Sequence, residues 1–228
     1  MLALTYTIIP VLAVILGGIF AIWRRPGDAF ISAMQHLAAG VVFAAAATEI
    51  LPQVLHAGSP LATFIGGSAG VAVMLGLKAY EARAAGPVTL ISAVGIDIVV
   101  DGLVLGLAFV AGAKAGVLLT VALTLEVLFL GVTLTTELAE SITSKLKIIL
   151  TVTALALLLP IGALLAIPVA GLSPPVVAGF LCFGLMALLF LVTEELLAEA
   201  HEKPDTPLIS AMFFVGFLSL LLIEEIAM

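Results

Sequence analysis

From Val88 to Ala113 the chain runs without a Lys, Arg or Glu, and two aspartates, Asp97 and Asp101, interrupt the run near its middle. A stretch this long and this apolar reads as a membrane-spanning helix. Four residues apart on a helix, the two carboxylates share one face, one turn above the other. A carboxylate near the bilayer centre costs roughly 2.5–3.5 kcal/mol on insertion scales. Two on one face therefore require a compensating cation, a proton or a water-filled cavity. The next apolar run carries a third acid, Glu126, at a similar depth. The rest of the chain reads as a scaffold around these three.

The surrounding composition fits that reading. Of 228 residues, 63% are hydrophobic and 10% charged, with a mean hydropathy of +1.36; a soluble domain has about 45–50% and about 25%. The expected fold is an all-α polytopic membrane protein, one transmembrane domain over residues 1–228. A formal net charge of -7 offers nothing to nucleic acid. The single Cys182 makes no intrachain disulfide. No basic segment precedes the first apolar run, and Arg24 and Arg25 follow it, so this run reads as a helix that stays rather than a cleaved signal.

Eight spans are expected, at Leu2–Trp23, Phe30–Leu51, Leu61–Tyr80, Val88–Ala111, Ala115–Leu138, Leu146–Ile167, Pro174–Ala198 and Pro207–Ala227. Turn residues mark the breaks: Arg-Arg-Pro-Gly-Asp at 24–28, His-Ala-Gly-Ser-Pro at 56–60, Ala-Gly-Pro at 85–87 and Lys-Pro-Asp-Thr-Pro at 203–207. Asp28 fits the N-cap of span 2. Connections 1, 3, 5 and 7 hold Arg24, Arg25, Lys78, Arg83, Lys145, Lys147 and Lys203, while connections 2, 4 and 6 hold Lys114. By the positive-inside rule the odd connections are cytoplasmic and both termini extracytoplasmic, in a plasma or inner membrane.

Span 4 enters at Pro87 and span 5 runs back from Lys114, so Asp97, Asp101 and Glu126 reach similar depths on antiparallel neighbours and can face one another at the midplane. Without a cation, at least one of the three must hold a proton. With one, an all-oxygen set suits hard or borderline ions such as Mn²⁺, Mg²⁺, Ca²⁺ or Fe²⁺. Three acids each bonded to a Ser, Thr or backbone group is the other reading. Gly102, Gly106 and Gly131 let these helices approach closely, and Pro160 should kink span 6.

Glu49-Ile50-Leu51-Pro52-Gln53 ends span 2 with His56 following, and Glu195-Leu196-Leu197-Ala198-Glu199 ends span 7 with His201 following. The same string at opposite faces is the trace of an inverted repeat, or a chance recurrence. Glu49, Glu194, Glu195, Glu199 and His201 could line a cation path, or be interfacial groups at helix ends. His36 reads as a packing or hydrogen-bonding residue, and Glu224 and Glu225 as solvated surface acids.

These residues resemble the ZIP (Zrt/Irt-like) metal transporters. Leu37 through Gln53 resembles that family's second span, Phe190 through His201 the end of its seventh, and Phe214-Val215-Gly216-Phe217 its eighth. The family's span 4 reads His-Asn-x-Pro-Glu-Gly; here Asp97 stands at the His, Ile98 at the Asn, Val100 at the Pro and Asp101-Gly102 at Glu-Gly. On span 5 Glu126 stands at the first ligand position, Val127 at the second, Leu130 at the bridging Glu and Gly131 at the Gly, while Leu159 replaces an acid on span 6. The resemblance implies a ZIP-like bundle, with spans 1–3 and 6–8 as an inverted repeat around spans 4–5. It also implies a homodimer and divalent-metal transport, with zinc, manganese and iron all to be considered. The substitutions leave one three-acid midplane site rather than a binuclear centre, and remove the imidazoles that favour zinc. Two other functions stay open: a ZIP-fold protein that does not transport (a metal sensor or complex subunit), and a proton-coupled carrier of a non-metal substrate. No span carries a hydrolase or nucleophile motif, so an enzyme is not expected.

Overall fold

The computed structural model describes residues 2–24, 26–57, 59–83, 86–202 and 206–227. Arg25 and Lys203, counted above in the basic connections, and both terminal methionines lie outside the described residues, as do parts of the turns at 56–60, 85–87 and 203–207.

The chain is all-α. Among the described residues, eight helices are long and apolar enough to cross a membrane: Leu2–Trp23, Asp28–Ala57, Pro60–Tyr80, Val88–Ala111, Ala113–Ser141, Lys145–Gly171, Pro174–His201 and Pro207–Ile226. Their short connections make neighbours alternate in direction, so connections 1, 3, 5 and 7 share one end of the bundle, the odd-loop end. Two sequence expectations change. Gly27 precedes span 2 with an extended backbone, and Asp28 is its first helical residue, where a carboxylate still favours the positive end of the helix dipole. Spans 2 and 7 also run further than Leu51 and Ala198. Pro52 does not stop span 2, because the helix widens into a π turn at Ala46–Ile50 and continues as Leu51–Ala57. A wider turn relieves the clash between a proline ring and the carbonyl four residues back. Span 7 has its own π turn at Leu191–Leu196, and no proline there accounts for it. Span 6 breaks at Leu157, between Lys145–Ala156 and Leu158–Leu165, three residues before Pro160.

The helices sort into two groups. Span 1 packs most closely on span 5, and span 4 on span 6, with spans 4 and 5 joined; span 2 packs on span 8, and span 3 on span 7. The first group is therefore spans 1, 4, 5 and 6, and the second spans 2, 3, 7 and 8. The groups meet chiefly where span 5 faces span 2 and span 4 faces span 7. Exchanging spans 1–3 with 6–8, and 4 with 5, turns each close pair into another. Only 17% of span 3 and 11% of span 8 is buried, so these two present apolar side chains such as Phe64, Phe214 and Leu222 to lipid.

Glycine makes each of the four close pairs possible. A methyl group built at Gly17 would lie 2.1 Å from the Leu128 carbonyl oxygen, and one at Gly131 2.3 Å from that of Val14. At Gly102 it would meet the Leu159 oxygen at 2.0 Å, and at Gly162 the Val99 oxygen at 2.1 Å. Spans 2 and 8 cross at Gly40 and Gly216, and spans 3 and 7 at Gly66 and Gly179. Lipid tails are as apolar as Leu, so close backbone packing supplies the association that water supplies elsewhere. Gly40→Ala, whose methyl would meet the Phe213 oxygen at 1.9 Å, is expected to destabilise the bundle by about 1–3 kcal/mol, read as a lower thermal transition in detergent. Gly76→Ala, with open space around it, should leave the transition unchanged.

Candidate metal centre

Asp97, Asp101 and Glu126 converge. Each offers a carboxylate oxygen within 4.8 Å of the other two, and the residues are only 6%, 3% and 2% exposed. Among the described residues this is the one grouping of three ligand-type side chains so close together. The helical spacing aligns the two aspartates, and the antiparallel turn at Gly112 returns span 5 so that Glu126 meets them. Asp97 precedes the crossing glycine Gly102 by 102 − 97 = 5 residues, and Glu126 precedes Gly131 by 131 − 126 = 5. Each acid is thus set at the same distance from a point where its helix is pinned to a partner, span 6 or span 1.

The electrostatics demand a proton or a counter-charge. At about 4.8 Å, two ionised carboxylates repel by roughly 3–4 kcal/mol even at an effective dielectric of about 20. Asp101 Oδ2 and Glu126 Oε2 are buried with no hydrogen-bond donor among the described residues, so neighbouring Ser, Thr and backbone groups do not answer these two oxygens. A buried cluster of three carboxylates can hold a metal ion, which supplies the missing charge and accepts the free lone pairs. Ile98, Val127 and Leu159 are fully buried in the core and Leu130 packs against it, so none of these four positions offers a ligand, while Glu195 and Gln35 share a small cavity with Asp97 and Glu126.

A cavity of about 480 Å³ runs from Gly86 and Ser141 at the odd-loop end up to Asp97, and Glu137, Glu140, Glu195 and Glu199 line it. A smaller one, about 30 Å³, continues inward to Glu126. Glu195 and Glu199 therefore lie beside the approach to the three acids. Glu194 does not: it is exposed and pairs with Lys78, bringing span 3 to span 7. His201 is also exposed; its Nδ1 lies 2.6 Å from the Leu197 carbonyl oxygen, and its ring stands edge-on to that of His36, centroids 5.0 Å apart. His36 is buried with its Nδ1 2.9 Å from the Ser32 carbonyl oxygen, a packing and hydrogen-bonding residue as expected. Thr193 donates to the Leu189 carbonyl at 2.9 Å, as a helix-backbone partner.

At the other end, two expectations are corrected. Glu49 does not end span 2; it lies inside the π turn and is buried. Glu224 is not a free surface acid. Lys114 Nζ lies 3.0 Å from Glu224 Oε1 and 3.4 Å from Glu49 Oε1, and the Glu224 side chain is only 15% exposed. Glu225 is exposed, as expected. Lys114 belongs to span 5 and its two partners to spans 2 and 8, so this ion triad ties the two helix groups together at the even-loop end. Sequence reasoning missed Lys114 as more than a loop charge; its isolation as the sole basic residue of the even connections was the available signal.

No protein-family model matches this chain, and no curated protein does.

Lys114→Met should loosen the even-loop end. A partly exposed ion pair is weak, so the expected change is a few-fold faster amide exchange in the Ala46–Ile50 turn and at the start of span 5. Glu225→Gln should leave exchange there unchanged.

Proposed function

We propose that this chain is a ZIP-like carrier of a divalent metal cation. The observation that carries the reading is the convergence of Asp97, Asp101 and Glu126 in the interior of a polytopic bundle. An acid-lined cavity reaching them from one end, and an ion triad closing the other, are what a carrier with alternating access needs. In this reading the cation binds at the acids, and access changes as spans 1, 4, 5 and 6 move against spans 2, 3, 7 and 8. Such a movement breaks the Lys114 triad and opens the even-loop side. A site of charge near minus three attracts the ion and releases it when a proton takes one carboxylate. The cargo is one ion per site, held by oxygen alone, with Mn²⁺ and Fe²⁺ better matched than Zn²⁺.

The proposed inverted repeat has support of its own. Both acid strings begin in π turns, Ala46–Ile50 and Leu191–Leu196, and continue as α-helix. His56 Nδ1 lies 2.6 Å from the carbonyl four residues back, Pro52, as His201 Nδ1 does from Leu197. Counting back from each histidine, 56 − 49 = 7 and 201 − 194 = 7, so Glu49 pairs with Glu194, one residue from the register read in the sequence. The basic bias places the odd-loop end in the cytoplasm, with the large cavity facing inward. Labelling of cysteines placed at Leu2 and Ala227 by an impermeant reagent from outside is expected, and protection of either would contradict this topology.

The direct test is flux. Proteoliposomes bearing the protein should accumulate Mn²⁺, and Asp101→Asn should slow accumulation at least about tenfold by removing a unit charge and a strong ligand. Binding should weaken as pH falls, because protons compete for the same oxygens. Undiminished flux in the Asp97→Asn, Asp101→Asn, Glu126→Gln variant would end the reading.

A further inference from the structure

Gln35 lies in the odd-loop half of span 2, in the face that meets the end of span 7, and is only 2% exposed. Its Nε2 donates to Glu199 Oε2 at 2.7 Å. A carboxylate only accepts, so this bond assigns the two ends of the amide, with Nε2 on Glu199 Oε2 and Oε1 as the end left for another partner. Oε1 is buried and meets no hydrogen-bond donor among the described residues. A carbonyl oxygen so placed is costly to leave without a partner. It is also a good ligand for an oxygen-binding cation. Gln35 lines the small cavity of about 30 Å³ together with Asp97, Glu126, Glu195 and Glu199.

We propose that Gln35 Oε1, with the carboxylates of Glu195 and Glu199, forms a second cation station between the midplane acids and the odd-loop cavity. Its role as a relay rests on the carrier reading; its ability to bind an ion does not. The ligand set repeats the midplane pattern: two carboxylates four residues apart on one helix, and one oxygen from a neighbouring helix. Here the third oxygen is a neutral amide, so the site carries about two negative charges rather than three. That balances a divalent ion and holds it less tightly than the midplane does. The cavity, about 30 Å³, has room for only about two waters, so an ion at Gln35 sheds most of its hydration on the midplane side. The larger cavity, which also touches Glu195 and Glu199, supplies water on the other. The fitting ligand is a partly hydrated, oxygen-preferring divalent cation, for which Mn²⁺ is the probe.

The two stations belong to different helix groups. Asp97, Asp101 and Glu126 ride on spans 4 and 5, and Gln35, Glu195 and Glu199 on spans 2 and 7. An ion passing from one to the other is handed across the interface along which the groups would move.

The test uses the full chain in detergent, carrying Asp101→Asn and Glu126→Gln, which removes the midplane site and leaves every residue of the second one. Mn²⁺ titrations followed by electron paramagnetic resonance should still find one ion per chain. On that background, Gln35→Met and Glu195→Gln should each weaken binding at least about tenfold. Gln35→Glu should keep or tighten it, because it retains the oxygen and adds charge. A Gln35 that served only to position Glu199 would give the opposite result for Gln35→Glu, which cannot donate to that carboxylate. Should Gln35→Met fail to fold, Glu195→Gln and Gln35→Glu decide. No Mn²⁺ bound by the double variant, or binding indifferent to both Gln35→Met and Glu195→Gln, overturns the second station. If the double substitution instead removes no site from the natural protein, the midplane reading fails and the second station stands.

Discussion

Three carboxylates held within 4.8 Å of one another in the interior of an apolar bundle are the condition the rest of this molecule has to satisfy. Their repulsion and their desolvation both oppose folding, and the helices carrying them gain nothing from water leaving between them. Close packing has to supply the association instead. The glycines following Asp97 and Glu126 at equal distances clamp span 4 to span 6 and span 5 to span 1, backbone against backbone. The acids are thus built into two of the most buried helices of the bundle, each clamped to a partner.

That arrangement connects packing to movement. The first helix group carries the three acids; the second carries Glu49, Gln35, Glu195, Glu199 and Glu224. Contacts inside each group pass through glycine crossings. The ion triad of Lys114 spans the groups, and it lies at the end opposite the large cavity. Partly exposed ion pairs are weak enough to break and re-form at small cost, whereas a glycine crossing is not. Two glycine-packed groups, held together at the even-loop end by an ion triad, suit the proposed carrier, whose halves would shift without unfolding.

Much of this was legible in the sequence because it is local. Span existence follows from the length of each apolar run, and the shared face of Asp97 and Asp101 from helical period. Glu126 could be placed beside them because a short turn at Gly112 forces equal depths together. The interior position of Glu49 was not legible: Pro52 reads as a helix end, and only the π turn lets the helix continue past it. Lys114, Gln35 and the His36–His201 contact were missed for another reason. Their partners lie on distant spans, such as Glu199 for Gln35 and Glu224 for Lys114, and no local period encodes which faces meet. The resemblance to ZIP transporters rested on spacing with most ligand types exchanged, and it enters the function as a proposal that the convergence of the acids supports.

The most direct measurement is an anomalous difference map from crystals of the protein grown with Mn²⁺, recorded on the high-energy side of the manganese edge. One strong peak lying within coordination distance of Asp97, Asp101 and Glu126 is the predicted result. A map with no peak there, from crystals in which the protein binds Mn²⁺ elsewhere or not at all, would contradict the central claim that these three acids are a cation site.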